Sequence, residues 1–355
     1  MTAPPAARAL RTRRLVAKGA PLPVLEETDC PAPGPGELRV RAAYSLVSPG
    51  TELHYLDRSA RTGEAFPLGY CSAGVVEAVG PDAPGFAPGD RVIAMGWGEA
   101  VHAGVITAGY RLCRRVPDGL GLADAVVANL AATAVHAVDR AGLAPGDEVA
   151  VVGAGIVGQL VAQTAAARGN RVTLLDVRQD RLKEAAALGL DVAEAAPFLA
   201  DTRTWAEGGR CVLLCGTGDA DETVAAAARW AGRASGRPRL VGVGRFAARV
   251  EFSVELGNLD IRYAARCGAG YRDAAYARGR AEVTAPVGEG TVTENLQRAL
   301  DLIVSGGIRP AAMRLPRFPL DRAGEAYAEL RARPAHPAVL FSHRAGDRPE
   351  EHRAP

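Results

Sequence analysis

The sequence predicts an α/β protein in which a small all-β, barrel-like region precedes a doubly wound parallel sheet. Three observations carry that expectation. From Leu10 to Val116, short apolar segments alternate with glycine and proline turns. From Asp147 the pattern changes to alternating strand and helix, the signature of right-handed crossovers onto a parallel sheet. Within that second region, Val149–Asp176 reads as strand, glycine turn, helix, strand and acid.

In the first region, segments such as Glu37–Ala43, Gly74–Val79 and Arg91–Ala94 read as strands, with turns at Pro33-Gly34-Pro35-Gly36 and Pro88-Gly89-Asp90. Pro117-Asp118-Gly119 punctuates the chain, and helical patterning runs from Ala123 to Ala141, stopping at Gly142. After Asp176 the spacing predicts a helix over Arg181–Leu188 and a strand over Arg210–Cys215 that ends in Gly216-Thr217-Gly218. A helix over Asp221–Ala231 and a strand over Arg239–Val243 follow. The section Tyr271–Gly290 is weakly patterned, and loops of that length are often functional. Helices over Thr293–Val304 and Asp321–Leu330 and a final strand over His336–Ser342 complete the reading. Residues 1–7, rich in alanine and proline, and the last dozen polar residues are expected to be disordered or frayed.

The 355 residues suggest two domains, and 48% hydrophobic content with a net charge of +2 describes an ordinary globular chain. No basic excess points to nucleic acid. No apolar run is expected to supply the roughly 20 residues of a membrane span, and the N-terminus lacks the apolar core of a signal peptide, so the default location is the cytoplasm. The six cysteines form no CxxC and no cluster with metal-ligand spacing, which fits reduced, structural thiols.

Val149–Asp176 carries the cofactor chemistry. Gly153 permits a tight turn, Gly155 lets the backbone approach a pyrophosphate, and Gly158 lets helix and strand pack closely. Ile156 and Val157 open the helix whose free N–H groups would face the diphosphate. Asp176, eighteen residues after Gly158, ends the second strand where a carboxylate can accept both ribose hydroxyls. It would repel a 2′-phosphate, so NAD is favoured over NADP, while Arg178 and Arg181 just beyond it keep NADP possible. Ligands of such sheets sit beyond the carboxyl ends of the strands, so Gly216, Thr217 and Val243 are expected to line the same cleft.

Gly69–Gly80 (GYCSAGVVEAVG), Pro88–Ile93 (PGDRVI) and Pro145–Gly158 (PGDEVAVVGAGIVG) fall in the order and spacing of the medium-chain dehydrogenase/reductase superfamily, which the chain resembles over nearly its whole length. The resemblance implies a GroES-like catalytic domain over 1–118, a Rossmann domain over 119–283 and a C-terminal return to the catalytic domain over 284–355. It also implies a cleft between the domains and a homodimer or homotetramer. Ser48–Glu52 (SPGTE), Gly69-Tyr70, Cys267–Tyr276 and Glu294–Tyr327 resemble a subgroup that includes bacteriochlorophyllide-type dehydrogenases and the dehydrogenase half of fused sugar-pathway oxidoreductases.

Zinc-dependent members of the superfamily hold the metal through a Cys, a His-Glu pair and a further Cys or acid. At those places this chain has Pro49, Tyr70-Cys71 and Asn129, and Gly96–Arg115 lacks the four-cysteine structural lobe. Zinc needs about three Cys, His or carboxylate ligands, so a zinc-free member is expected. Without a metal, a protein group must give or take the alcohol proton. Tyr70 is the first candidate, because it stands where a metal ligand would point at substrate; the alternative is a tyrosine that only fills the vacated space. Thr51 and His54 align with a hydroxyl and an imidazole that relay a proton in alcohol-oxidising relatives. Glu52 reads as a structural hydrogen-bond partner, His102 as a residue on a cleft-side segment, and His136 as structural. Thr133 is expected to contact the nicotinamide end.

These readings point to an NAD-preferring, zinc-independent oxidoreductase that interconverts a secondary alcohol and a ketone on a polar small molecule. The alternatives are a redox-neutral epimerase, an enoyl or quinone reductase, and a non-catalytic dinucleotide sensor or partner subunit.

Overall fold

The computed structural model describes residues 9–204 and 208–343. The Ala/Pro-rich start (1–7) and the last dozen residues (344–355) lie outside the described residues.

Six parallel strands form the second sheet, in the spatial order Asp191–Glu194, Arg171–Asp176, Glu148–Val152, Arg210–Leu214, Arg239–Gly242 and Asp260–Tyr263. Val149 pairs with Val172 on one side and Cys211 on the other, so Glu148–Val152 is central. The chain builds outward on one side of that strand and then crosses to build on the other. The crevice at this reversal is where such sheets bind ligands, and Gly153–Gly158 lies at its mouth. Alternate residues of the central strand enter different cores. Val149 and Val151 join the core of the helix pair Ala128–Ala141 and Ile156–Ala167, and Ala150 joins Leu175, Val212 and Trp230 on the opposite face.

The first region folds as an antiparallel sheet around the long strand Glu37–Leu46, which pairs with Cys71–Val79, Val105–Gly109 and, near its end, Leu340–Ser342. The C-terminal strands Arg317–Pro319 and Leu340–Ser342 therefore belong to the same sheet as the N-terminal strands. One core runs without interruption from Leu46, Cys71 and Ile93 of this sheet to Val149 and Leu174 of the parallel one. The two sheets and the crevice between them are thus packed as one body.

Several elements differ from the sequence expectation. The all-β reading missed the helix Pro49–Thr62. Its start is favoured by Pro49 at the first helical position and by Glu52, whose carboxylate accepts the Ser48 N–H at 2.8 Å. Its inward face carries Glu52, Leu56 and Ser59, two of them polar, so no apolar period was visible. The strands Asp191–Glu194 and Asp260–Tyr263 also went unseen, because each is a four-residue strand at a sheet edge with no buried position to mark it. The last strand is shorter than expected, covering Leu340–Ser342 only.

The membrane expectation needs a correction. Leu122–Ala141 is long and apolar enough to cross a membrane by length and composition, but 72% of its most apolar window is buried inside the fold. It packs against Ile156–Ala167 and Val292–Val304 as a core helix.

Candidate active site

The glycine turn has the geometry that a diphosphate needs. Gly153 has φ +103°, a conformation that favours glycine, and a Cβ there would press on the Gly216 N at 3.0 Å. A Cβ on Gly158 would stand 1.8 Å from the Gly153 carbonyl oxygen, so helix and turn touch backbone to backbone. Gly155 differs from both. Its φ is −72°, open to any residue, and a Cβ there would meet no protein atom within 4 Å. The protein's own packing does not require glycine at that position, whereas close approach by a ligand would. No side chain caps the helix Ile156–Ala167, so its first N–H groups and its positive dipole end are left for an anion. Gly155→Ala is accordingly expected to leave the unfolding midpoint within about 2 °C while weakening NADH binding about tenfold or more, as measured by quenching or enhancement of NADH fluorescence. An unchanged NADH affinity would remove the diphosphate from this turn.

Asp176 is buried, and its carboxylate is oriented by two backbone donors, Ala154 N–H at 2.7 Å and Arg178 N–H at 3.0 Å. Each oxygen keeps a further lone pair for a ribose hydroxyl. The Arg178 guanidinium is engaged by Asp180 and by the Arg333 carbonyl. Arg181 lies close to Asp176, and its buried Nε has no hydrogen-bond partner among the described residues. Burial lowers its pKa from the ordinary arginine value.

The strand ends build the rest of the crevice. Cys215 N–H donates to the Val152 carbonyl, and Val243 N–H donates to that of Leu214, both at 2.8 Å. Gly216 has open space where a Cβ would stand, and the Thr217 methyl lies 3.7 Å from the position a Gly50 Cβ would take. The start of the helix Pro49–Thr62 therefore forms the opposite wall. Thr133 is the one residue from Ala125 to Val138 that is partly exposed rather than buried.

On the opposite wall the structure brings Tyr70 and Thr51 together and adds Ser48, which the sequence did not single out. The Ser48 and Thr51 side chains adjoin the Tyr70 phenol, and their own oxygens are 3.5 Å apart. Burial, the largest influence, pushes the phenol well above its ordinary value, with the neighbouring Cys71 adding to the rise. Trp97 lies beside it, with ring centroids 6.0 Å apart. Contact with the rings of Trp97 and Tyr55 was not legible, because Trp97 follows a strand and Tyr55 lies on the unpredicted helix.

His54 is one turn beyond Thr51, on the same helix. Arg245, from the turn after Arg239–Gly242, lies 3.1 Å from its Nε2. Arginine can only donate, so Nε2 is the acceptor and the proton of the neutral ring sits on Nδ1. Partial burial and then Arg245 push the imidazole below its ordinary value, so it is neutral at pH 7.

The expectation that His102 faces the cleft is corrected. It is fully buried, and both ring nitrogens are committed, Nδ1 to the Ser45 hydroxyl at 2.7 Å and Nε2 to Glu52 at 2.8 Å. Glu52 also accepts from the Tyr327 hydroxyl and the Ser48 N–H. His102 N–H donates to the Leu68 carbonyl, and its ring packs where a Gly69 side chain would stand. The pair ties the segment carrying Tyr70 to the helix carrying Ser48 and Thr51, and no substrate can reach it. His136 is buried on the core helix, with Nδ1 3.7 Å from a Glu289 oxygen.

The comparisons with known proteins agree with this architecture. Residues 148–196 match the family model described as the NAD-binding domain of 3-hydroxyacyl-CoA dehydrogenase. The chain is 34% identical over 252 residues to the spectinabilin polyketide synthase system protein NorB of Streptomyces orinoci, covering 70% of this chain and 10% of that protein. It is 39% identical over 154 residues to 2-desacetyl-2-hydroxyethyl bacteriochlorophyllide A dehydrogenase of Rhodobacter capsulatus, covering 39% and 47%. The chain thus spans less than half the length of either relative. Alcohol dehydrogenase TADH from Thermus sp. ATN1 superposes with a TM-score of 0.73 at 22% identity, covering 94% of this chain and all of that one. With its parallel sheet wound about Glu148–Val152 and its terminal strands closing one antiparallel sheet, the chain shares the fold of this alcohol dehydrogenase and of an alcohol dehydrogenase superfamily protein from Novosphingobium aromaticivorans, which superposes with a TM-score of 0.71 at 21% identity over 94% of this chain and all of that one.

Proposed function

We propose that this chain is an NAD(H)-dependent oxidoreductase that moves a hydride between the nicotinamide and the carbinol or carbonyl carbon of a small polar molecule, using Tyr70 in place of a metal. The observation that carries the reading is the Tyr70 phenol, which stands beside Trp97 and the paired Ser48 and Thr51 hydroxyls on the wall opposite the glycine turns. Bound NAD(H) would supply the hydride chemistry. Gly155, the start of the helix Ile156–Ala167 and Asp176 would hold its diphosphate and ribose.

The residues at the superfamily's zinc positions do not fit a zinc ion. Pro49 has no donor atom, and the Asn129 amide nitrogen is spent on the carbonyls of Ser72 and Val126. The Cys71 thiol is fully buried, and that burial holds its proton on. Among the described residues, no group of three or more His, Cys, Asp or Glu side chains is placed to hold a metal. No step here is routed through one.

In the direction of ketone reduction, the phenol donates a proton to the alkoxide oxygen as the hydride arrives, and the Ser48 and Thr51 hydroxyls stabilise the charge that develops. A phenol held above its ordinary value of about 10 stays protonated through the neutral range. The pH dependence follows in sign. Reduction needs the protonated phenol and is expected to be flat from about pH 7 to 10, whereas alcohol oxidation must pass its proton to a deprotonated acceptor and is expected to rise over the same range. Any acid limb from His54 falls below about 6.5, because its surroundings favour the neutral ring.

The test is NADH and NADPH titration, followed by turnover of a polyol and ketone panel before and after dialysis against a chelator. Tighter NADH binding, chelator-insensitive turnover and no stoichiometric metal are expected. Stoichiometric zinc with chelator-sensitive turnover would sink the metal-free reading.

The similarity to a polyketide synthase system protein favours one second reading, in which the hydride goes to a carbon–carbon double bond activated by a carbonyl. Steady consumption of NADH with an α,β-unsaturated thioester, and none with ketones, would favour it. The free thiols of all six cysteines fit a reducing compartment such as the cytoplasm.

A further inference from the structure

Beside Tyr70, the wall is aromatic and carries an arginine that no acid among the described residues neutralises. Trp97 lies between Tyr70, at 6.0 Å, and Tyr55, at 4.3 Å between ring centroids. The Arg272 guanidinium sits over the Trp97 ring, 5.7 Å from its centroid. Arg272 is exposed and has no carboxylate partner among the described residues. The adjacent Asp273 instead caps the helix Ala274–Ala277, where its Oδ1 accepts the N–H groups of Ala275 and Tyr276. Arg272 also has φ +66°, a left-handed conformation in which glycine would cost nothing and arginine is strained. Trp97 thus has the Tyr70 ring on one side and, in Arg272, a cation without an acidic partner among the described residues.

We infer that Arg272 and Trp97 form a subsite for an anionic oxygen group on the substrate, a carboxylate or a phosphate monoester, borne on the part of the molecule remote from the reacting carbon. The inference rests on the reading of this cleft as the place of hydride transfer. The guanidinium offers two parallel N–H donors that match either oxyanion, and its seat on Trp97 fixes their plane at little entropic cost. The Trp97 and Tyr55 rings supply apolar faces for the C–H face of a polyol chain or sugar ring. Remote binding of this kind orients the reacting carbon against the nicotinamide.

Three probes that share one polyol skeleton test the inference: sorbitol, gluconate and sorbitol 6-phosphate. Each is titrated calorimetrically into the full-length protein, with and without saturating NADH. At least one anionic probe is expected to bind about tenfold or more tightly than sorbitol, and the better of the two identifies carboxylate or phosphate as the group. Arg272→Gln is expected to erase the difference, and Arg272→Lys to keep part of it. Arg272→Gly, which relaxes the left-handed backbone, guards against a folding artefact and is expected to behave as Arg272→Gln. Equal binding of all three probes, binding of none, or full anion preference in the glutamine and glycine variants would each overturn the subsite. Failure of the cofactor reading shows separately, as absent NADH binding in the wild type, and the titrations without NADH still decide the subsite.

Discussion

Tyr70→Phe is expected to lower turnover by about 10²- to 10⁴-fold, the range for losing a positioned general acid, while NADH affinity stays within about twofold. The substitution removes one oxygen from a side chain whose ring packs beside Trp97 and against the main core, so little rearrangement is expected. The Ser48 and Thr51 oxygens, 3.5 Å apart, can still pair with each other. Single-turnover formation or loss of NADH absorbance separates the chemical step from binding. A variant with near-wild-type turnover would reduce Tyr70 to a space filler at a vacated metal site.

Glu52→Ala is expected to cost about 3–5 kcal/mol of stability, the penalty for removing one member of a buried charged or hydrogen-bonded pair. Glu52 and His102 have no exposed surface, and the single carboxylate serves His102, the Tyr327 hydroxyl and the Ser48 N–H. Alanine leaves all three unpartnered in the interior, where each lost partner has its own cost. Glu52→Gln keeps the shape and one acceptor oxygen and is expected to lose less. Urea unfolding midpoints of the two variants measure the difference. An alanine variant as stable as the wild type would show that the network contributes nothing to holding the wall. Because Ser48 opens the helix that carries Thr51, the glutamine variant is also expected to lower turnover without changing NADH affinity.

The cofactor half of the site was legible because its chemistry is local. Within Val149–Asp176 the turn, helix start and acid are fixed by neighbours in sequence, and the structure keeps them together through the Ala154–Asp176 hydrogen bond. The substrate wall was read less well. Tyr70 and Thr51 were named, but not Ser48, and His102 was given a place at the cleft that its burial forbids. Ser48 was missed because the helix it opens turns a glutamate and a serine inward, which hides the apolar period that marks a buried helix face.

By itself the sequence determined the change from a β-rich first region to alternating strands and helices, and the glycine turn with its acid. Those are properties of residue identity and short spacing, in which each residue constrains its neighbours through φ, ψ and side-chain period. Only the tertiary structure decided which polar groups face the cleft and which are consumed inside. Tyr327 reaches Glu52 from 275 positions away, and Arg245 reaches His54 from 191. No local pattern encodes such contacts. They follow from how two sheets and a returning C-terminus pack, and that packing buries His102 while leaving Tyr70 beside the crevice.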